Sequence, residues 1–352
     1  SKNNRPKAAP YGAAFYFHTM KKCIALIVLV LLGSCSSNPE LVQMTNQGPA
    51  QGSTFSISYL VPEGVDYRRD IDSILESMDQ QMSLWVENSE ISALNRGDSL
   101  FLSNDFHGVI LQSIYLSELT DGSFDITLAP LIKAWGFSGG THKDSINVDS
   151  LLNFVGYKGL VAHRPGSMME KYALPEGYEL DVNAIAQGYT VDVVANLMNN
   201  VGVSNYMIEI GGEVRCKGTN VRGRKWRIGI EEPTEDRVLG QFQTIVELDS
   251  MSLATSGNYR KYWQDENGQK VVHSIDPETG QPVVHNLLSA SIIAPHATTA
   301  DALATACMIK GVTGAMTMID RFPDVEGYFI VGTKFGEIEV FQTSGWERYT
   351  VN

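Results

Sequence analysis

Tyr206-Met207-Ile208-Glu209-Ile210, Trp226-Arg227-Ile228-Gly229-Ile230-Glu231, Phe242-Gln243-Thr244-Ile245-Val246-Glu247-Leu248 and Leu287-Leu288-Ser289-Ala290-Ser291-Ile292-Ile293 are four strand-like runs, rich in β-branched and aromatic residues. They follow one another without intervening helices. A parallel sheet needs a long crossover between neighbouring strands, so this order predicts antiparallel pairing. The fold class is therefore α+β, with mixed, largely antiparallel sheets and flanking helices. On the N-terminal side, the alternation of Phe55, Ile57, Tyr59 and Val61 predicts a half-buried strand. Ile71, Ile74, Leu75, Met78 and Met82 recur at helical spacing. A second helix is expected over Phe106 to Leu119, ending at Asp121-Gly122, and a short one over Asp149 to Val155, ending at Gly156. Tyr178 to Asn200 reads as a strand followed by a helix, with Asp181 at the junction. Towards the C-terminus, helices are expected at Thr298–Ile309 and Val312–Arg321, then strands at Tyr328–Val331 and Ile338–Phe341.

The 352 residues carry a formal net charge of −13, and nothing in them suggests a nucleic-acid partner, which requires a basic face. An acidic protein that handles a phosphate compound must neutralise the anion locally. No glycine-rich dinucleotide or P-loop motif follows a strand. The four cysteines, Cys23, Cys35, Cys216 and Cys307, match no zinc spacing; the last two could pair in an oxidising compartment, but two separate buried thiols is the plainer reading. Lys21 and Lys22 precede the apolar run Ile24–Leu32, which leads into Leu32-Gly33-Ser34-Cys35, the form of an export signal. The last four residues resemble a bacterial lipobox, with Cys35 as the lipidated residue. This predicts a leader over 1–34, a lipid-anchor tether over 35–49 and one domain over 50–352. It also predicts an exported lipoprotein held on the periplasmic side of a membrane.

Several side chains carry possible chemistry. Asp301 and Thr305 lie one helical turn apart, and two oxygen donors on one face suit a hard cation such as Mg2+. Taken alone the pair is weak evidence, since an acidic residue near a helix N-terminus with a core threonine explains it more often than a metal does. Asp181, ahead of Val182-Asn183-Ala184-Ile185-Ala186-Gln187-Gly188, suits a helix cap, and physics alone favours that role over ligand binding. His273 precedes the Asp276–Gly280 turn and titrates in the range of a general base, although a histidine beside a turn is more often a surface residue. Ser83-Leu84-Trp85 and Gly122-Ser123-Phe124-Asp125 set aromatic rings beside small or polar groups in loops; such rings pack in cores more often than on ligands.

The order of these blocks is specific. Gln51 to Phe55, Met82 to Trp85, Ser89 to Asn95, Gly122 to Thr127, Trp135 to Phe137, Asp181 to Gly188, Ile210 to Gly212, Thr255 to Arg260, His273 to Pro282 and Asp301 to Thr305 follow one another through nearly the whole chain beyond the leader. The sequence resembles the FAD:protein FMN transferase family, also called the ApbE family. The resemblance implies a T-fold-like core. It implies an enzyme that binds FAD as substrate, needs Mg2+, and moves FMN onto a threonine hydroxyl of an acceptor flavoprotein with release of AMP. By family analogy the acceptors are subunits of Rnf-type or sodium-pumping quinone reductase complexes.

Carried over by position, Gln51, Trp85, Ser123, Phe124, Asp125, Asp181, Gln187 and Ile275 would bind the flavin compound. The metal would lie at Asp301, Thr305 and the main chain of Ala184, and His273 would be the base. Gln51 stands where the family often has methionine, Trp85 where it has tyrosine, and Gln187 where it has lysine. Ala304 stands where some relatives have a second aspartate. A FAD pyrophosphatase and a flavin-storing lipoprotein remain the alternatives at this point.

Overall fold

The computed structural model describes residues 40–351, except 139, 141–145, 168, 234–241, 259–261, 265–269 and 334–336. The expected leader, Cys35, the first part of the tether, and Tyr259 and Arg260 lie outside the described residues.

Eight strands form one antiparallel sheet. They are β1 (Leu41–Ala50), β2 (Ser53–Pro62), β3 (Tyr206–Ile210), β4 (Glu213–Lys217), β7 (Met251–Gly257), β10 (Leu287–Ala294), β11 (Glu326–Gly332) and β12 (Ile338–Gln342), adjacent in that order. The hairpin β5 (Trp226–Glu231) with β6 (Phe242–Leu248) and the short pair β8 (Tyr262–Gln264) with β9 (Lys270–Val272) stand apart from it. The antiparallel expectation holds throughout.

The sheet divides into two halves of similar plan. In the first, β1 and β2 are followed by a helical stretch that ends in α7 (Ala186–Asn200), then by β3 and β4. In the second, β7 and β10 are followed by α8 (Ala297–Ile319), then by β11 and β12. Helix α7 packs on β3 and β4, α8 on β7 and β10, and the two helices on each other. The insert before α7 holds α1 (Arg68–Met82), α2 (Glu90–Asn95), α3 (Asn104–Leu119), α4 (Ala129–Ala134), α5 (Val148–Leu152) and α6 (Tyr157–Ala162). Ser89 caps α2 and Ser103 caps α3, each accepting a main-chain N–H three residues on.

Two expectations are corrected. The tether over 35–49 does not extend as a linker to Pro49, because residues 41–50 form β1 in full register with β2. As an edge strand with one exposed face, β1 is polar enough (Gln43, Thr45, Gln47) to pass for linker. The hairpin turn at Gln51-Gly52 has positive φ at both residues, 48° and 74°, which suits a two-residue connection. The strand expected ahead of α7 is absent. Leu180 donates its N–H to Asn95 Oδ1 (2.7 Å) and accepts from Asn95 Nδ2 at its carbonyl (2.9 Å), so one side chain satisfies the main chain in place of a neighbouring strand. The two helices expected over 298–321 are present: they meet at a kink where Gly311 has non-helical backbone (φ 65°, ψ 173°), and α8 denotes the pair. Cys216 and Cys307 are separate, buried thiols, as expected, and burial pushes both pKa values up.

Candidate functional site

Where α7 and α8 meet the sheet, a cavity of about 370 Å³ opens, a size suited to a small ligand or part of a larger one. Its walls come from separate parts of the chain. Ser123, Phe124 and Asp125 follow α3, and Asp181 and Ala184 precede α7. Gln187 lies on α7, His273 and Ile275 follow β9, and Asp301 and Thr305 lie on α8. Ten of the twelve sequence-predicted site residues thus share one cavity. The other two, Gln51 and Trp85, are not on its wall. The Gln51 amide donates to Thr190 Oγ1 on α7 (2.7 Å), which turns the side chain to packing β1–β2 against that helix. Trp85 is 72% exposed in the turn after α1.

Each loop is built by its own hydrogen bonds. Asp121 (φ 54°) and Gly122 (φ 80°) end α3 in left-handed backbone, and the Gly122 N–H reaches the Ser117 carbonyl at 2.8 Å. Ser123 Oγ donates to the Thr120 carbonyl (2.8 Å). Asp125 accepts from the Thr127 N–H (2.8 Å), the Thr127 hydroxyl (2.7 Å) and the Tyr157 N–H (2.6 Å), so its carboxylate builds the loop. Asp181 accepts from the Asn183 N–H and the Ser138 hydroxyl, both at 2.9 Å, forming a local turn at the cavity wall. The 273–282 segment is anchored by Trp135 Nε1, which donates to the Gly280 carbonyl (2.9 Å). The His273 ring stands edge-on to Phe137, with centroids 6.3 Å apart. On α8, Asp301 Oδ2 accepts the Gly188 N–H (3.0 Å), and the Thr305 and Ser256 hydroxyls lie 3.2 Å apart.

The charge of the cavity is lopsided. Asp125, Asp181, Glu213 and Asp301 line it, and among its described lining residues there is no lysine or arginine. Burial raises the pKa values of Asp125 and Asp181 above the usual carboxylate range, and it raises that of Asp301 to about 7. Among the described residues no cluster of three or more His, Cys, Asp or Glu forms a metal cage. Asp301 and Thr305, one helical turn apart on α8, and Ala184 line the same cavity and instead offer a sparse oxygen set. Such a set suits an ion that keeps waters and ligand phosphates in its shell. Glu213 and Ser138 were missed in the sequence. The signal for Glu213 was an acidic residue opening a strand directly after Gly211-Gly212, and Ser138 gave none.

The family model for the ApbE family matches residues 51–329. The chain belongs to the ApbE family. The FAD:protein FMN transferase of Vibrio cholerae is 36% identical over 308 residues, 84% of this chain and 90% of that protein. The protein of the same name from Haemophilus influenzae is 31% identical over 338 residues, 90% of this chain and 95% of its own length. Among solved structures, the flavin transferase ApbE from Vibrio cholerae superposes with a TM-score of 0.76 at 30% identity, covering 88% of this chain and 99% of that one. The apo flavinyl transferase ApbE of Pseudomonas stutzeri gives 0.77 at 29%, covering 88% and 96%. Family membership extends across the whole cavity, since its lining residues, 123 to 309, fall inside the matched range.

Proposed function

We propose that this member of the ApbE family is an FAD:protein FMN transferase that works with Mg2+. The observation that supports this reading is the cavity itself: it joins His273 to the Asp301–Thr305 face in a carboxylate-lined space without a described cationic side chain. A pyrophosphate is repelled there unless a cation accompanies it.

When bound, Mg2+ would supply charge neutralisation of the pyrophosphate and of the AMP leaving group. Asp301, Thr305 and the Ala184 main chain would hold it. Phe124 and Ile275 offer apolar surface to the flavin ring, and Asp181 and Gln187 offer hydrogen-bonding groups that fix its orientation. Gln51 and Trp85, off the cavity wall, are assigned no contact. His273 takes the proton from the acceptor threonine hydroxyl as its oxygen bonds to the FMN phosphorus. The bond from that phosphorus to the AMP oxygen breaks in the same displacement, and AMP departs with the bonding pair. On the family resemblance, the acceptor is a flavoprotein subunit of the Rnf or sodium-pumping quinone reductase type. On the sequence alone, Cys35 is the lipid anchor at a membrane surface.

The test is incubation of the purified chain with FAD, MgCl2 and an acceptor domain, followed by denaturing electrophoresis and mass spectrometry. A fluorescent acceptor heavier by one FMN phosphoester is expected. Steady release of FMN without an acceptor, and no labelled protein, would replace transfer by hydrolysis. Binding of FAD without either product would reduce the protein to flavin storage.

A further inference from the structure

We propose that Asp192, outside the cavity wall, is a positioning residue that sets the cation-holding face of α8; the idea rests on the Mg2+ reading above. The residue before α8, His296, places no side-chain cap on that helix. The cap comes instead from the middle of α7. Asp192 Oδ1 accepts the Ala297 N–H (3.1 Å), and Oδ2 accepts the Thr298 N–H (3.0 Å) and the Thr298 hydroxyl (2.6 Å). These are orphan donors of the first turn of α8, which a helix must satisfy by some means.

Asp192 is buried and is held in turn by the Arg215 guanidinium of β4. Other titratable groups facing this cluster are His296, whose Nδ1 lies 3.3 Å from Arg215 and 4.0 Å from Asp192 Oδ2, and the phenols of Tyr189 and Tyr206. Asp301 follows Thr298 by three residues and Thr305 lies one turn beyond. A helix transmits a shift of its first turn to both, because its main-chain bonds fix rise and rotation. The Arg215–Asp192 pair therefore fixes the position and phase of the two oxygen donors from outside the cavity.

The experiment is calorimetric titration of the full chain with MgCl2, with and without AMP, comparing wild type with Asp192→Asn. The amide keeps the volume but replaces one accepting oxygen with a donor. The expected result is an Mg2+ dissociation constant about tenfold higher, with FAD affinity in EDTA within twofold. In the transfer assay, the Mg2+ needed for half-maximal rate should rise similarly, while the rate at saturating Mg2+ falls less than threefold. Thr298→Val removes only the hydroxyl contact and should shift Mg2+ affinity in the same direction by about threefold, which keeps the test decisive if Asp192→Asn does not fold. An Mg2+ constant within twofold of wild type, in whichever of these variants folds, overturns the proposal even if melting temperature drops. Absence of Mg2+ uptake by the wild type in both conditions removes the metal from the proposed function and this proposal with it.

Discussion

Asp192 on α7 and Asp301 on α8 cap each other's helices. Asp192 accepts the N–H groups of Ala297 and Thr298, the first two residues of α8, and Asp301 accepts the N–H of Gly188, the third residue of α7. Neither helix has a side-chain cap from the residue that precedes it. Each carboxylate thus sits at the positive end of the other helix, where a negative charge is favoured. The two halves of the sheet are pinned to one another at the point where the proposed cation site lies. The geometry of Asp301 is set by the main chain of the opposite half.

Gly188→Ala tests how tightly that junction is closed. A Cβ at Gly188 would fall 2.4 Å from the Ala297 carbonyl oxygen and 2.8 Å from the Asp301 Cβ. The obstacle is main chain, so α7 and α8 must separate to relieve it. Overpacking of this kind costs about 1–3 kcal/mol. The variant should melt several degrees lower and should need at least tenfold more Mg2+ for half-maximal transfer. A Gly188→Ala protein with wild-type melting and Mg2+ dependence would show that the helices are not closely apposed here.

The same carboxylate gives stability a pH dependence. Asp301 titrates near 3.8 in the unfolded chain and at about 7 when folded, because burial disfavours its charge. Between those values the folded protein binds the extra proton, so stability is greatest at low pH and falls as pH rises from about 4 to about 7. At ~1.36 kcal/mol per unit the ceiling is about 4 kcal/mol. Asp125 and Asp181 shift the same way, so Asp301→Asn serves as the reference. In EDTA, the wild type should lose stability relative to Asp301→Asn over this range. At pH 8, MgCl2 should restore it in the wild type alone. Parallel urea-melt curves for the two proteins across pH would remove Asp301 from the account.

How much of this could be read from the sequence follows from the range of each interaction. The alternation of Phe55, Ile57, Tyr59 and Val61 and the break near Gly311 are local, and both appear in the fold. Ten site residues were placed together by the order of their motifs, while their physics taken singly favoured plainer roles. The edge strand β1 was lost because half its side chains face solvent. Strands β4 and β7 were lost for a different reason. Glu213 and Arg215 break the apolar pattern of β4, and Ser252, Ala254 and Ser256 make β7 too small-featured to signal a strand. Its small side chains suit its place beneath α8. The role of Asp192 was not readable at all, since its partners lie 105 and 106 residues further along the chain.

Asp125 separates structure from ligand contact. Its carboxylate already accepts three hydrogen bonds from Thr127 and Tyr157 while lining the cavity. Removing a buried acceptor leaves those donors unsatisfied, at about 1–3 kcal/mol for each group. Asp125→Ala should therefore lower stability by at least about 3 kcal/mol in urea unfolding and lose FAD affinity together with loop order. Asp181→Asn keeps its turn, since an amide oxygen can still accept the Asn183 N–H, and should weaken FAD binding with less than about 1 kcal/mol of destabilisation. The reverse pattern, with Asp125→Ala stable and Asp181→Asn unfolded, would exchange the two assignments.

His273 carries the sharpest chemical prediction. It lines the cavity with the Asp301–Thr305 face but belongs to a different segment, held in place through Ile275, the Gly280 turn and Trp135. If it takes the acceptor proton, His273→Ala should bind FAD and Mg2+ within about threefold of wild type while transfer falls by about 10²–10⁴. At saturating MgCl2, where a bound cation keeps Asp301 ionised, the rising limb of the pH–rate profile expected from an imidazole base should vanish with it. His273→Gln, similar in reach but not basic at these pH values, should be as slow as alanine. Exogenous imidazole should partly restore the alanine variant. Transfer by His273→Gln at wild-type rate, with the pH limb intact, would leave histidine without a part in proton transfer and would point to another base on the cavity wall.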